Sequence, residues 1–580
     1  VNEEQELPEG WVRTELGIIG VWVGGGTPSK AKEQFWTDGT ISWVSPKDMK
    51  TLRITDTEDH LSVNALEETV LKLCPVGTVL IVVRSGILER TLPVAIAQTP
   101  VTMNQDMKGI YPENGIEPMY TAYYLICSDR DIRSRCSKNG TTVSSIETGM
   151  LKSYPIFLPP LREQQRIVSA IEERFTILDA VATALQQNKQ KLKLARASVL
   201  KHAVEGKLTE KWRAEHPASE SGSELLERIL VERRTKWEAE QLAKGKDLRK
   251  LRYEEPAGPD VSELLDLPEE WCLVTMNQVV ARSEYGISTK CDYEAMGVPV
   301  LRIPNIAAGE IDLSDMKYSV QSLDLTEDSA LQVGDILVCR TNGSIGLIGK
   351  AAQVRRNLEP YHTFASYLLR FRLCETTVLP TWLHLFIGSY QGRFFIESHA
   401  ASSAGQHNIS LTLMHGMPFP LPPLAEQQQI VTEVERCLSI IEQAQVAIET
   451  SLKRIERARQ SILEMAFLGR LVPQDPHDEP ASVLLERIQE ERGKRLAQGK
   501  LRGKNGGVKA ARGRKTREED FVPQWQLLKD AKQSGLIDGS LSSVSAHGDG
   551  ASERREVGQG EMDKEELGGL VQMPLFSLWD

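Results

Sequence analysis

One stretch occurs twice in this chain, and it limits what the rest can be. Residues 158–168 read LPPLREQQRIV and residues 421–431 read LPPLAEQQQIV, an offset of 263 (421 − 158). A second pair precedes it, with LPEGW at 7–11 and LPEEW at 267–271. Self-similarity at such a distance marks a duplicated unit, so the chain is two similar modules rather than one large core. Each module is a globular block that ends on the doubled motif and runs on into a heptad-patterned helix.

The helices carry the clearest periodicity. After the first copy, Ile171, Leu178, Leu185, Leu192 and Val199 recur every seven residues. Ile167, Val181 and Ala195 fill the complementary seam position, and Arg174, Asn188 and His202 interrupt it. This is a coiled-coil seam with polar breaks of the kind that set register and partner. The same offset puts Val434, Ile441, Ile448, Ile455 and Ile462 on the second helix, all β-branched. Ile430, Cys437, Ala444, Ser451, Ala458 and Met465 take the complementary position, where small residues let two helices approach closely. At about 1.5 Å per residue each helix is about 65 Å long, and Gly206 is a natural stop for the first.

The blocks 7–160 and 267–423 mix turn signals with short apolar runs such as TVLIVV at 78–83, which reads as a buried strand. VGTVLIVVR at 76–84 aligns with VGDILVCR at 333–340, give or take one residue. The long spacer helices occupy 161–207 and 424–470. Residues 208–266 hold a charged helix and a Pro/Gly linker, and a repeat of the charged helix lies in 471–500. Residues 501–580 form a basic, then acidic, largely disordered tail, with eight basic residues and no acid between 500 and 517. The expected fold class is α+β. Two domains with mixed α/β sheets are each followed by a long helix, and the two helices pair as an antiparallel coiled coil about a pseudo-twofold axis.

Composition excludes several classes. The eight cysteines form no C-x-x-C pair, which argues against a zinc site or a disulfide scaffold and for a reducing, cytoplasmic setting. No uncharged apolar run approaches the roughly 18 residues that span a bilayer, and the acidic opening VNEEQELPEGW is unlike a secretory signal. The net charge of −11 speaks against nucleic acid, although acidic helices and tail can mask basic clefts. Catalytic motifs are missing. GSIGLIGK at 343–350 has the wrong spacing for a phosphate loop, and Ala351 stands where a hydroxyl residue is needed. No H-E-x-x-H occurs, nor the N-P-P-[FY] or D-P-P-[FY] with which adenine methyltransferases hold a flipped base. The chain is therefore expected to be non-catalytic, with no metal and no cofactor of its own.

Two unlike heads on a paired helical spacer suit a bipartite target. DNA has local twofold symmetry, and a pseudo-twofold body can engage two sites about one to two turns apart, at roughly 34–36 Å per turn. Taken in order, LPEGW, LPPLREQQRIV, GKLTEKWR, LPEEW, LPPLAEQQQIV and SILEMAFLGRL resemble the specificity subunit of Type I restriction-modification systems, from about residue 7 to residue 499. That resemblance implies two target-recognition domains, each reading one half of an asymmetric site in double-stranded DNA. It implies two methyltransferase subunits that carry S-adenosylmethionine and methylate adenine N6. It also implies up to two restriction subunits that use ATP and Mg²⁺ for translocation and cleavage.

Contacts to bases call for Arg, Lys, Asn, Gln, Ser and Thr on loops. In the first block the candidates are Ser29, Lys30, Lys47, Arg84, Ser85, Asn104, Gln105, Lys138, Asn139 and Thr141. In the second they are Ser288, Thr289, Lys290, Arg302, Asn305, Arg340, Asn342, Ser344, Gln406, His407 and Asn408. Arg84 and Arg340 lead, since both follow a buried strand. The plainer alternative for each is a residue that merely solvates a turn. The basic run at 500–517 reads either as an arm on phosphate or as a solvated linker. Gln572 to Phe576, QMPLF, resembles the peptide by which bacterial proteins dock on the replication sliding clamp. Two other classes stay open: a coiled-coil scaffold whose heads bind proteins, and an enzyme with an unfamiliar site.

Overall fold

The computed structural model describes residues 7–138, 143–259, 267–374, 378–403 and 405–505. Each head is built on the same strand order. In the first, Gly20–Gly24, Met107–Pro112, Val79–Val82, Val94–Ala97 and Arg53–Ile54 lie side by side. In the second the order is Val280–Tyr285, Leu368–Leu373, Ile336–Cys339 and Ala351–Gln353. The central strands, Val79–Val82 and Ile336–Cys339, are buried at every residue, which is why they read as unbroken apolar runs. Gly77 (φ 85°) and Gly334 (φ 96°) turn the chain into them, a left-handed conformation that suits glycine.

A smaller sheet flanks each of these. Ile41–Val44 runs parallel to Val101–Met103 in the first head, and Pro299–Leu301 runs parallel to Thr363–Phe364 in the second. A two-stranded ribbon then closes each head on itself, pairing Val12–Glu15 with Pro155–Leu158 and Cys272–Thr275 with Pro418–Leu421. The chain thus enters and leaves a head at one place, and there the doubled motif starts a rod.

The rods are Leu161–Val204 and Leu424–Phe467, each 44 residues long. They lie antiparallel. Asp179 pairs with Arg459 and Lys189 with Glu449 (2.7 Å), so ten residues forward on one rod is ten back on the other. Ile171, Leu192, Val199, Val434, Ile441, Ile448, Ile455 and Ile462 are buried between and beneath them. Burying one such side chain stabilises by about 1.5–3 kcal/mol, whereas exposed ion pairs contribute about 0–1 kcal/mol each. The seam holds the rods, and the ion pairs tune register.

The heads sit at opposite ends, and each is finished by the other module. The first head's core takes in Ile462, Leu463, Ala466 and Phe467 from the end of the second rod, and Leu484, Leu485 and Ile488 from the helix Ala481–Asn505 beyond it. The second head's core takes in Leu192, Val199, Ala203 and Val204 from the end of the first rod, and Leu225 and Ile229 from Gly222–Ala243. The rod-ending glycines repeat the pattern. A Cβ on Gly206 would meet Pro268 at 2.4 Å, and one on Gly469 would meet Pro8 at 2.4 Å.

Two details depart from the sequence pattern. Met465 is 38% exposed, because the last turn rotates Ala466 and Phe467 inward, and Phe467 packs edge-on to Tyr120 (5.3 Å) and Tyr124 (5.1 Å). The second charged helix runs to Asn505, past the expected end at 500, and so takes up the start of the basic run. Among the described residues no helix is long and apolar enough to cross a membrane.

Candidate nucleic-acid interface

In both heads four segments meet where the central strand ends. In the first head the Val83 and Arg84 amides both donate to the Asp106 carbonyl (2.8 and 3.2 Å). The Gly26 amide donates to the Met103 carbonyl (2.8 Å), and the Ser85 amide to that of Ser144 (3.1 Å). In the second head the Arg340 amide donates to Tyr367 (2.8 Å), Ile287 to Phe364 (2.9 Å) and Ile409 to Arg340 (3.0 Å). The loop after the edge strand must come very close. A Cβ on Gly25 would lie 1.9 Å from the Asn104 carbonyl oxygen, and one on Gly286 would lie 2.2 Å from that of Ala365. Only glycine permits this approach.

The convergence gathers many of the candidates chosen from sequence. Arg84 is exposed at the strand end. Ser85 accepts from the Ile87 amide (3.4 Å) and so shapes the turn that follows. Gln105 is exposed, bonded to the Thr27 hydroxyl and donating to Asp106 (3.2 Å). The Lys138 amide donates to the Ser145 carbonyl (2.8 Å), which places that lysine beside the segment that meets Ser85. Asn139 and Thr141 lie outside the described residues. Ser29 and Lys30 flank the cluster. The Ser29 carbonyl accepts from the Trp36 indole (3.3 Å), and the Lys30 ammonium stands 6.0 Å from that ring.

In the second head Thr341–Asn342 pairs with Gln406–Asn408, which pairs in turn with Ala401–Ser403. This ribbon presents Gln406 and Asn408 to solvent, with His407 half-buried. The Asn342 side chain accepts from the Ser344 amide (2.8 Å), which forms a tight Asx turn. Ser288 and Lys290 are exposed next to the Gly286 approach, and Thr289 donates to Gln321 (3.2 Å).

Four candidates are committed elsewhere. Asn305 is 1% exposed, accepts from the Arg302 amide (2.9 Å) and donates to the carbonyls of Asp312 and Asp315 (both 2.9 Å). It holds a loop and cannot reach a base. Arg302 spends its guanidinium on the Asp315 carboxylate (3.0 Å) and carbonyl (2.9 Å). Asn104 is 7% exposed and accepts from the Asp106 amide (3.0 Å), so it too builds a turn. Lys47 is bracketed by Asp59 (3.0 Å) and Glu58 (3.2 Å), whose hydrogen bonds raise its pKa. Sequence reasoning passed over Tyr285 and Tyr367, which are 44% and 53% exposed beside Arg340. Their signal was an aromatic residue inside a polar loop.

The family model described as the Type I restriction modification DNA specificity domain matches residues 8–194 and again 268–454, together more than half of the chain. The chain belongs to that family. It is a specificity subunit, and its two heads are the target-recognition domains. It is 25% identical over 521 residues to the EcoKI specificity subunit of Escherichia coli strain K12, an alignment covering 87% of this chain and 98% of that one. A shorter match, 40% identical over 170 residues, pairs 29% of this chain with 42% of the Escherichia coli EcoR124I/EcoR124II specificity subunit. A chain from a solved structure of a type I R-M system, described for its assembly and conformational transition, superposes with a TM-score of 0.56. It covers 80% of this chain and 100% of its own length at 16% identity, a likeness of fold.

Proposed function

We propose that the two heads read the two unlike halves of an asymmetric bipartite DNA site, and that the rods fix the gap between the halves. The observation that carries this reading is the antiparallel rod pair with a head at each end and a different loop set on each head. A partner methyltransferase subunit at each half would methylate adenine N6, and restriction subunits would add translocation and cleavage. S-adenosylmethionine, ATP and Mg²⁺ would sit on those partners, and this chain supplies the address. The scaffold alternative has the net charge of −11 in its favour, and the match to the specificity-subunit family weighs against it.

The test is an insertion of four residues within one rod, followed by sequencing of methylated sites. The gap should change or methylation should be lost. An unchanged gap would refute the ruler. The clamp-like peptide at 572–576 lies outside the described residues. It remains a proposed second dock, to be checked by clamp pull-down against the double change Gln572→Ala and Phe576→Ala.

A further inference from the structure

We infer that Arg340 reads a guanine in the second head's half-site and that Tyr285 is the positioning residue that aims it. The inference rests on the assignment of the heads as DNA readers.

The guanidinium carbon of Arg340 lies 4.5 Å from the centre of the Tyr285 ring. Stacking on an aromatic face fixes the plane of a guanidinium without consuming its terminal donors. The ring is itself tied down, because the Tyr285 hydroxyl accepts from the Leu411 amide (3.3 Å). The Arg340 backbone is pinned on both sides, donating to Tyr367 (2.8 Å) and accepting from Ile409 (3.0 Å). Its Nε is buried and makes no hydrogen bond. The fork that remains is the pair of terminal nitrogens, and among the described residues no carboxylate forms an ion pair with them.

Two other arginines of this head differ. Arg302 is closed by Asp315 (3.0 Å) and Arg372 by Asp335 (2.7 Å). A planar fork with two parallel donors matches guanine O6 and N7, the acceptor pair that guanine shows in the major groove. The ribbon beside Arg340, with Asn342 opposite His407, is the kind of two-stranded element that groove admits. Among the described residues the first head has no counterpart to the ring. Gly24 pairs with Lys108 at the strand position where Tyr285 pairs with Leu369.

The experiment uses the complex with its methyltransferase subunits and the target found by sequencing methylated sites. Each guanine of the second half-site is replaced in turn by 7-deazaguanine, which lacks the N7 acceptor. One replacement should weaken binding about 10- to 100-fold. That penalty should vanish in Arg340→Ala, which has already lost the contact, and Arg340→Lys should not restore it. Tyr285→Leu should shrink the penalty at that base alone, whereas Tyr285→Phe, which keeps the ring, should retain most of it. Discrimination in the other half-site should not move, which separates lost aim from lost folding. A half-site without guanine, no sensitive guanine, or a penalty that persists in Arg340→Ala overturns the inference. If the wild-type complex shows no sequence preference at all, the reading of the heads falls, and the inference with it.

Discussion

Glu163 and Glu426 occupy matching places on the two rods, 263 residues apart (426 − 163), and each is only 1% exposed. Their surroundings differ. Glu426 accepts from the Trp271 indole (2.8 Å) and the Thr209 hydroxyl (2.7 Å) and pairs with Arg213. Thr209 and Arg213 belong to the segment after the first rod. The residues 263 further on are Val472 and Pro476, which can do neither job. Glu163 is left with an Oε1 that makes no hydrogen bond. Burial raises its pKa, the nearby Trp11 indole and Arg166 pull the other way, and Asp478 adds to the rise. That junction is held by apolar packing and by the Arg166–Asp478 pair (2.8 Å) instead. Both ends of the ruler are packed on apolar cores, but only at one is the buried rod carboxylate itself neutralised by an arginine. A duplicated fold can keep a buried carboxylate at both ends while the segment that neutralises it diverges at one.

The sharpest way to break this contrast is Glu426→Ala against Glu163→Ala. Removing Glu426 takes the carboxylate from a half-buried guanidinium, an indole N–H and a hydroxyl at once. Breaking a buried pair in this way costs about 3–5 kcal/mol. Glu163→Ala strands no such set and should cost at least about 2 kcal/mol less. Denaturant unfolding followed by tryptophan fluorescence reads both. Equal losses would mean that the two junctions are energetically alike.

A second pair tests where the heads agree. Gly25→Ala and Gly286→Ala each drive a Cβ into a backbone carbonyl oxygen, at 1.9 and 2.2 Å before relaxation. The loop must move away, at a cost of about 1–3 kcal/mol. DNA binding by the assembled complex should weaken from either side. Tolerance at one head alone would show that only the other depends on the close approach.

A smaller effect separates the strand-end arginines. Arg84 is exposed with Gly24, not an aromatic ring, at the position matching Tyr285. Arg84→Ala should weaken binding by about 1 kcal/mol or less, below the roughly 1–3 kcal/mol of an aimed base contact such as Arg340. Competition binding of both variants on one target duplex decides. A larger loss at Arg84 would reverse the ranking of the heads.

What could be read from sequence followed periodicity and repetition. The rods, their seam from Ile171 to Val199 and the matched central strands were legible because a packing face repeats along the chain. The polar sites were harder. Arg340 was visible as a polar residue after a buried run, but the Tyr285 ring that aims it lies 55 residues away (340 − 285) and meets it only through sheet pairing. Asn305 and Asn104 look like base readers in a string, yet burial turns both into turn formers. The exchange by which each head is completed from the other module has no local signature, since it depends on rods that run antiparallel.

The faintest test of the contrast is Glu163→Gln. The wild-type carboxyl has its folded pKa raised above the usual 4.5 by burial, so the native state holds a proton that the unfolded chain has released. Stability from this group is therefore full below the unfolded value and is lost as pH rises through the folded one. Above that raised folded pKa the charged carboxylate is a burden, and there Glu163→Gln should be neutral or stabilising by about 1 kcal/mol or less. The advantage should shrink as pH falls through the folded pKa toward 4.5, because the wild type then protonates and resembles the amide. Glu426→Gln should destabilise at pH 7, since the amide cannot neutralise Arg213. Unfolding of both variants across that pH range gives the signs. An amide at 163 that destabilises across the whole range would mean that the carboxyl itself is wanted there, and the two ends of the ruler would be alike after all.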